Sequence, residues 1–202
     1  METSITYEQR KWRQGYKTII GADEVGRGAL AGPIVAAAVL FAPKIINSKS
    51  AWVKQIKDSK RLSPKQRFDL YKEITESCSW AVALISNKEI DRVGIQNANI
   101  NVVIKAVKKI KPKADYLLRD YIAGFKFSLS HETIIKGDSK VFSIACASIV
   151  AKVYRDRLMR KFHKKYPQYH LGKNKGYGSL AHRQAIKKFG LCPLHRKSFK
   201  LS

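Results

Sequence analysis

Acidic residues are scarce in this sequence. Only 15 Asp and Glu stand against 40 Lys and Arg over 202 residues, a formal net charge of +25 with a pI near 10.1. An excess of that size speaks of partners rather than of fold, and the partner it fits is a polyanion: nucleic acid first, an anionic membrane surface second. Long apolar runs are lacking too. No stretch approaches the roughly 18 residues that a spanning helix needs, so a membrane role is not expected. The opening METSITYEQRKWRQGYK is polar and has no apolar core of a signal peptide. Cysteine is sparse: Cys78, Cys146 and Cys192 are odd in number and far apart, with no CxxC or Cys/His spacing. That excludes a disulfide framework, argues against structural zinc and fits a reduced, cytoplasmic setting. Internal repeats and Gly/Ser linkers are missing as well. One domain over 1–202 is expected, and 45% apolar content suffices for its core.

What is present reads as an α/β chain. Residues 16–22 (YKTIIGA) and 33–41 (PIVAAAVLF) predict two strands, joined by a turn holding Gly26, Gly28 and Gly32, hence antiparallel neighbours. Ser63-Pro64 predicts a helix start, with Ser as N-cap and Pro at the first position, running to about Ser77. Strands are expected at 79–86, 115–119 and 132–136. Helices are expected at 88–93, at 95–110 with Ile100, Val103, Ile104 and Val107 on its apolar face, at 142–165 and near 179–189. The order β-β-α-β-α-α-β-β-α-α implies a mixed sheet of about five strands flanked by helices, with a C-terminal helical segment and tail from about 160.

The few acids are not scattered. Asp23 and Glu24 follow the first strand, Asp120 the fourth and Asp138 the fifth, and strand ends are where sites assemble in open α/β sheets. Carboxylates brought together raise one another's pKa until one protonates, unless a cation relieves them. An oxygen-rich set without histidine suits Mg²⁺ or Mn²⁺ rather than Zn²⁺, and two such ions can assist phosphodiester cleavage. One geometric condition applies. Neighbours on a regular strand point to opposite faces, so Asp23 and Glu24 share a site only if the strand bends or ends there, or if Glu24 acts through its carbonyl or a water. The competing reading makes the four acids separate surface groups or caps, with Asp138 as a helix N-cap. The five histidines have no ligand spacing, and Asp156 reads as a structural partner or supporting acid.

GADEVGRGALAGPIVAAAV (21–39) closely resembles the opening signature of type 2 ribonuclease H, ribonuclease HII. The resemblance continues in KDSKRLS (57–63), KGDSKVFSIACASIVAKVYRDRLM (136–159), GYGS (176–179) and HRKSF (195–199). The sister family, ribonuclease HIII, usually has GKG where this chain has Gly26-Arg27-Gly28, and carries an added N-terminal domain for which this chain is too short. The resemblance implies an RNase H-like fold and endonucleolytic cleavage of RNA in RNA–DNA hybrids. It also implies incision 5′ of a single ribonucleotide embedded in duplex DNA, leaving 3′-hydroxyl and 5′-phosphate ends. It implies that Asp23, Glu24, Asp120 and Asp138 hold Mg²⁺ or Mn²⁺, that Gly26, Arg27 and Gly28 contact the 2′-hydroxyl, and that Tyr177 packs on the neighbouring deoxyribose. Lys60 and Lys152 match family lysines and are candidates for phosphate contact; Ser148, four residues from Lys152, can face the same way. One departure stands out: the family often has Asp-Gly at the third acid, and here Tyr121 follows Asp120. A monomer is the default. Composition alone favours a non-catalytic RNA-binding protein, and a junction resolvase or integrase core is a second rival; the combined motifs argue against both.

Overall fold

The computed structural model describes residues 3–41, 43 and 51–200. Its centre is the apolar pair β1 (Ile19–Val25) and β2 (Ile34–Phe41), antiparallel with Gly21 opposite Val39 and Asp23 opposite Ala37. All eight residues of β2 are buried. Such a continuous apolar run is what a strand needs when both its faces are covered. Ala36, Ala38 and Leu40 turn to one cluster, and Ala37, Val39 and Phe41 to the other. β3 (Ser79–Ile85) pairs antiparallel with β2, while β4 (Tyr116–Asp120) and β5 (His131–Ile134) continue the sheet in parallel beyond β1. The order β3-β2-β1-β4-β5 is the mixed five-stranded sheet expected.

Helices close both faces. α4 (Ile95–Lys109) lays Ala98, Val102, Val103 and Ala106 on the Ala36/Ala38 side. α6 (Phe142–Lys165) covers the other side with Ala145, Ala147, Ile149 and Ala151. The small residues let α6 lie so close that a Cβ on Gly21 would collide with the Ser143 backbone. α2 (Pro64–Ser77) packs outside α6 and begins with the expected cap: Ser63 Oγ accepts from Gln66 N at 3.2 Å and Gln66 returns a bond to Ser63 N, a reciprocal capping box. α3 (Asn87–Val93) stops at Gly94, which has φ +80°. Past α6, the short α7 (Leu171–Asn174), α8 (Leu180–Phe189) and the tail gather on Met159, Tyr169 and Leu171.

Several expectations need correcting. The first strand runs 19–25, not 16–22, so Asp23 and Glu24 lie inside it rather than after it. Asp120 is likewise the last residue of its strand. Asp138 does not cap the long helix, whose N-cap is Val141; it sits in the one-turn α5 (Gly137–Lys140). Of the apolar face expected for α4, Val103 and Val107 are buried while Ile100 and Ile104 lie half-buried at its margin, and Ala98, Asn99, Val102 and Ala106 complete the buried side. An unexpected helix, α1 (Thr6–Arg13), sends Glu8 under the sheet's edge. There Glu8 Oε1 accepts the Ser143 amide at 2.8 Å, satisfying a free N–H in the first turn of α6.

Candidate active site

The strand ends place the acids. Residues 23 and 24 of β1 point to opposite faces, Asp23 toward α6 and Glu24 toward α4, as the regular strand requires. The strand neither bends nor ends between them. Both nonetheless line the same cleft, since β1 ends one residue later at Val25. That cleft, about 400 Å³, is lined by Asp23, Glu24, Asp120 and Asp138 together with Lys60, Ser148, Lys152, Tyr177 and Ser59. A larger groove of about 760 Å³, around Val107, Ile110 and Phe127, has no acid in it.

Each carboxylate is held by a different element. Asp23 is buried, and the Ser148 hydroxyl on α6 favours its ionised form against that burial. Ser148 Oγ in turn lies 3.0 Å from Ser59 Oγ. Glu24 Oε1 accepts from Asn99 Nδ2 at 3.1 Å, while its Oε2 is buried with no partner. Asp120 Oδ1 accepts from the Gly137 amide at 2.8 Å and the Tyr121 amide at 3.0 Å. The departure at Tyr121 therefore leaves the orientation of Asp120 intact, since a backbone N–H supplies the bond and the ring stays exposed. Asp138 Oδ2 pairs with Lys60 Nζ at 2.9 Å, and Lys152 Nζ pairs with Asp156 Oδ1 at 2.8 Å. Burial pushes the Asp23 carboxyl well above the usual carboxylate range, and the neighbouring Glu24 charge adds to this. Burial also raises Glu24, against the Asn99 bond and the Arg119 charge.

Among the described residues, no three acidic, histidine or cysteine side chains already converge at metal-holding distances. The cleft is open: Asn99, the Gly137 amide and Lys60 hold the acids on separate walls. Its chemistry still fits a hard divalent cation. The donors are all oxygen, one carboxylate oxygen is buried and unpartnered, and burial disfavours the Asp23 charge in a way that a bound cation would relieve.

The Gly26-Arg27-Gly28 turn leaves β1 at the cleft's edge. Gly26 has φ +94°, and a Cβ there would collide with the Arg155 guanidinium, so this glycine is required by the fold itself. Gly28 faces open space. Arg196 from the tail bonds the carbonyls of Gly26 (2.7 Å), Arg27 (2.8 Å) and Gly32 (3.0 Å), pinning the turn. The Arg27 side chain is exposed and donates to Gln96 Oε1 at 3.1 Å. Tyr177 stands across the cleft, 37% exposed, with the Arg155 guanidinium 5.4 Å from its ring.

A family model described as Ribonuclease HII matches residues 20–202. The chain belongs to the ribonuclease HII family. As a member it is an endoribonuclease of the ribonuclease H type acting on RNA–DNA hybrids, and the family depends on divalent metal. The ribonuclease HII of Caldanaerobacter subterraneus subsp. tengcongensis is 43% identical over 194 residues, 96% of this chain and 78% of that protein. The ribonuclease H2 of Pyrococcus horikoshii has the same fold, with a TM-score of 0.75 and 26% identity over 91% of this chain and 94% of that one. Bst-RNase HIII, solved in complex with Mn²⁺, shares the fold at a TM-score of 0.72 and 20% identity, over 92% of this chain and 68% of that one.

Sequence reasoning missed Asn99, Arg119, Gln96 and Ser59. Asn99 had a readable signal, a polar residue amid the apolar positions of helix 95–110. Arg119 had one too, a charge inside the apolar run YLLRD. Ser59 had one as well, its place inside the motif KDSKRLS, whereas Gln96 had none, because only the folded chain brings it to Arg27.

Proposed function

We propose that the chain cuts the RNA strand of RNA–DNA hybrids and also incises 5′ of a single ribonucleotide in duplex DNA. The reaction is hydrolysis assisted by two Mg²⁺ or Mn²⁺ ions, with 1–202 acting as one catalytic domain. The observation that carries this reading is the meeting of Asp23, Glu24, Asp120 and Asp138 in one cleft of a strongly basic chain. Bound there, divalent ions would activate a water and stabilise the departing oxygen. Asp23 and Asp138 would hold them from the α6 side, Glu24 from the α4 side and Asp120 from the end of β4. Lys60 and Lys152 neutralise phosphate at the rim, and Lys60 would exchange Asp138 for the substrate backbone.

Recognition follows from the flanks. A 2′-hydroxyl distinguishes RNA from DNA at one position. The bare Gly28 surface and the exposed Arg27 offer it backbone and guanidinium donors. Tyr177 offers a ring face to a sugar that lacks that hydroxyl. A turn pinned by Arg196 keeps the two readers at a fixed separation, suited to an RNA-to-DNA junction.

The test uses end-labelled duplex DNA carrying one ribonucleotide, a long hybrid and an all-DNA control, each with Mg²⁺ or Mn²⁺. A single cut 5′ of the ribonucleotide is expected, lost with chelator and in Asp23→Asn, and absent from the control. Cleavage of the hybrid alone would refute the junction reading. Tight binding without any cut would refute catalysis at this cleft.

A further inference from the structure

Arg119 is fully buried, and none of its three guanidinium nitrogens has a hydrogen-bond partner. It pairs in register with Ala22 of β1, so its side chain rises on the same face as Ala22 and Glu24, beneath α4. The Phe125 ring lies 4.0 Å from its guanidinium carbon. The charges around it are those of Glu24, Asp120 and Asp23, while burial pulls its pKa down to about 10. Nearby, Glu24 Oε2 is buried and equally unpartnered.

A guanidinium in the interior ordinarily forms paired bonds to a carboxylate. Burying one without any bond costs several kcal/mol. Packing does not account for it: Leu117 and Leu118 fill the adjoining positions of β4, and an aliphatic side chain on Phe125 would avoid the cost. What offsets the burial is the field of the acids and the face of the ring.

We propose that Arg119 is a built-in counter-cation of the carboxylate cleft and limits how tightly the site takes its first divalent ion. The proposal rests on the metal reading above. With all four carboxylates ionised, and with the charge of Lys152 taken up by Asp156, Lys60 and Arg119 leave the cleft a formal charge of −2. One divalent ion cancels that. A second ion must then enter with the negative charge of the scissile phosphate. The two cations are not equivalent. The Lys60 side chain is 78% exposed and can swing away. Arg119 is enclosed and cannot leave, so its charge opposes the metal at every stage and stands in for it when none is bound.

The experiment titrates Mn²⁺ into the full chain at fixed pH and low salt, following free Mn²⁺ by electron paramagnetic resonance. It compares wild type, Arg119→Met and Arg119→Lys, with melting curves in chelator and in Mn²⁺. Removing one nearby charge should tighten the first Mn²⁺ by about tenfold in Arg119→Met, and Arg119→Lys should bind as wild type does. Arg119→Met should also melt lower in chelator and gain more from Mn²⁺, since stabilisation by a ligand grows with the logarithm of its affinity. Unchanged or weaker Mn²⁺ binding by Arg119→Met would overturn the proposal. If that variant is unfolded in chelator, saturating Mn²⁺ should refold it, and a chain that stays unfolded would overturn the proposal too. A wild-type chain that binds no Mn²⁺ refutes the metal reading instead.

Discussion

Asp23 is buried beside Glu24, so its charge is a burden in the folded chain. The sign of the pH effect follows from its raised pKa. Between the unfolded and folded pKa values the folded state keeps a proton that the unfolded state has released. Stability therefore falls as pH rises through that window, and the full cost is present above it. Asp23→Asn should melt higher than wild type in chelator at pH 8, by about 1.4 kcal/mol for each pK unit removed. The gap should close as pH is lowered into the ordinary carboxylate range. Equal melting at both pH values would show that the Asp23 charge is not destabilising. Asn99 acts in the opposite sense on Glu24. Asn99→Ala removes the bond that favours the ionised form, so the acid limb of the pH–rate profile should move to higher pH, with kcat lower by about tenfold. A profile that keeps its position would mean that Asn99 does not orient Glu24.

At the scale of elements, the site depends on how closely α6 lies against β1. Gly21→Ala forces a methyl into the Ser143 backbone. Overpacking of this kind costs about 3 kcal/mol, readable as a lowered urea midpoint, and activity should fall with it as Ser148 is displaced from Asp23. The helices and strands that carry the site were legible because their signals are local. Ser63-Pro64 announced α2, a nearly continuous apolar run announced β2, and Gly94 separated α3 from α4. What was not legible came from tertiary contact. α1 is mostly polar, and its place depends on Glu8 meeting the first turn of α6, a bond between residues 135 positions apart. The register of β1 was read three residues early because YKTIIGA is apolar enough for a strand, whereas the ladder to β2 runs through Val25. The four acids were found from their places at the predicted strand ends and then through the family motifs. Their division between two faces came from the continuity of β1, which pattern alone leaves undetermined.

For the whole molecule, the net charge of +25 sets the terms of encounter. Affinity for a hybrid duplex should fall linearly on a log–log plot against salt, by about 10³-fold between 50 and 200 mM if about six phosphates are contacted. A flat dependence would mean that the basic surface faces away from the duplex. The long-range ties of the fold also fix an order in time. A chain leaves the ribosome N-terminus first, at about 5–20 residues per second. All four carboxylates emerge before Arg196, the residue whose guanidinium gathers the carbonyls of Gly26, Arg27 and Gly32. A nascent chain thus possesses its acids before it possesses the clasp on the turn beside them. Synthesis halted short of Arg196 would leave those three carbonyls without their shared donor, so the turn that follows the first strand is among the last parts of the fold to be secured.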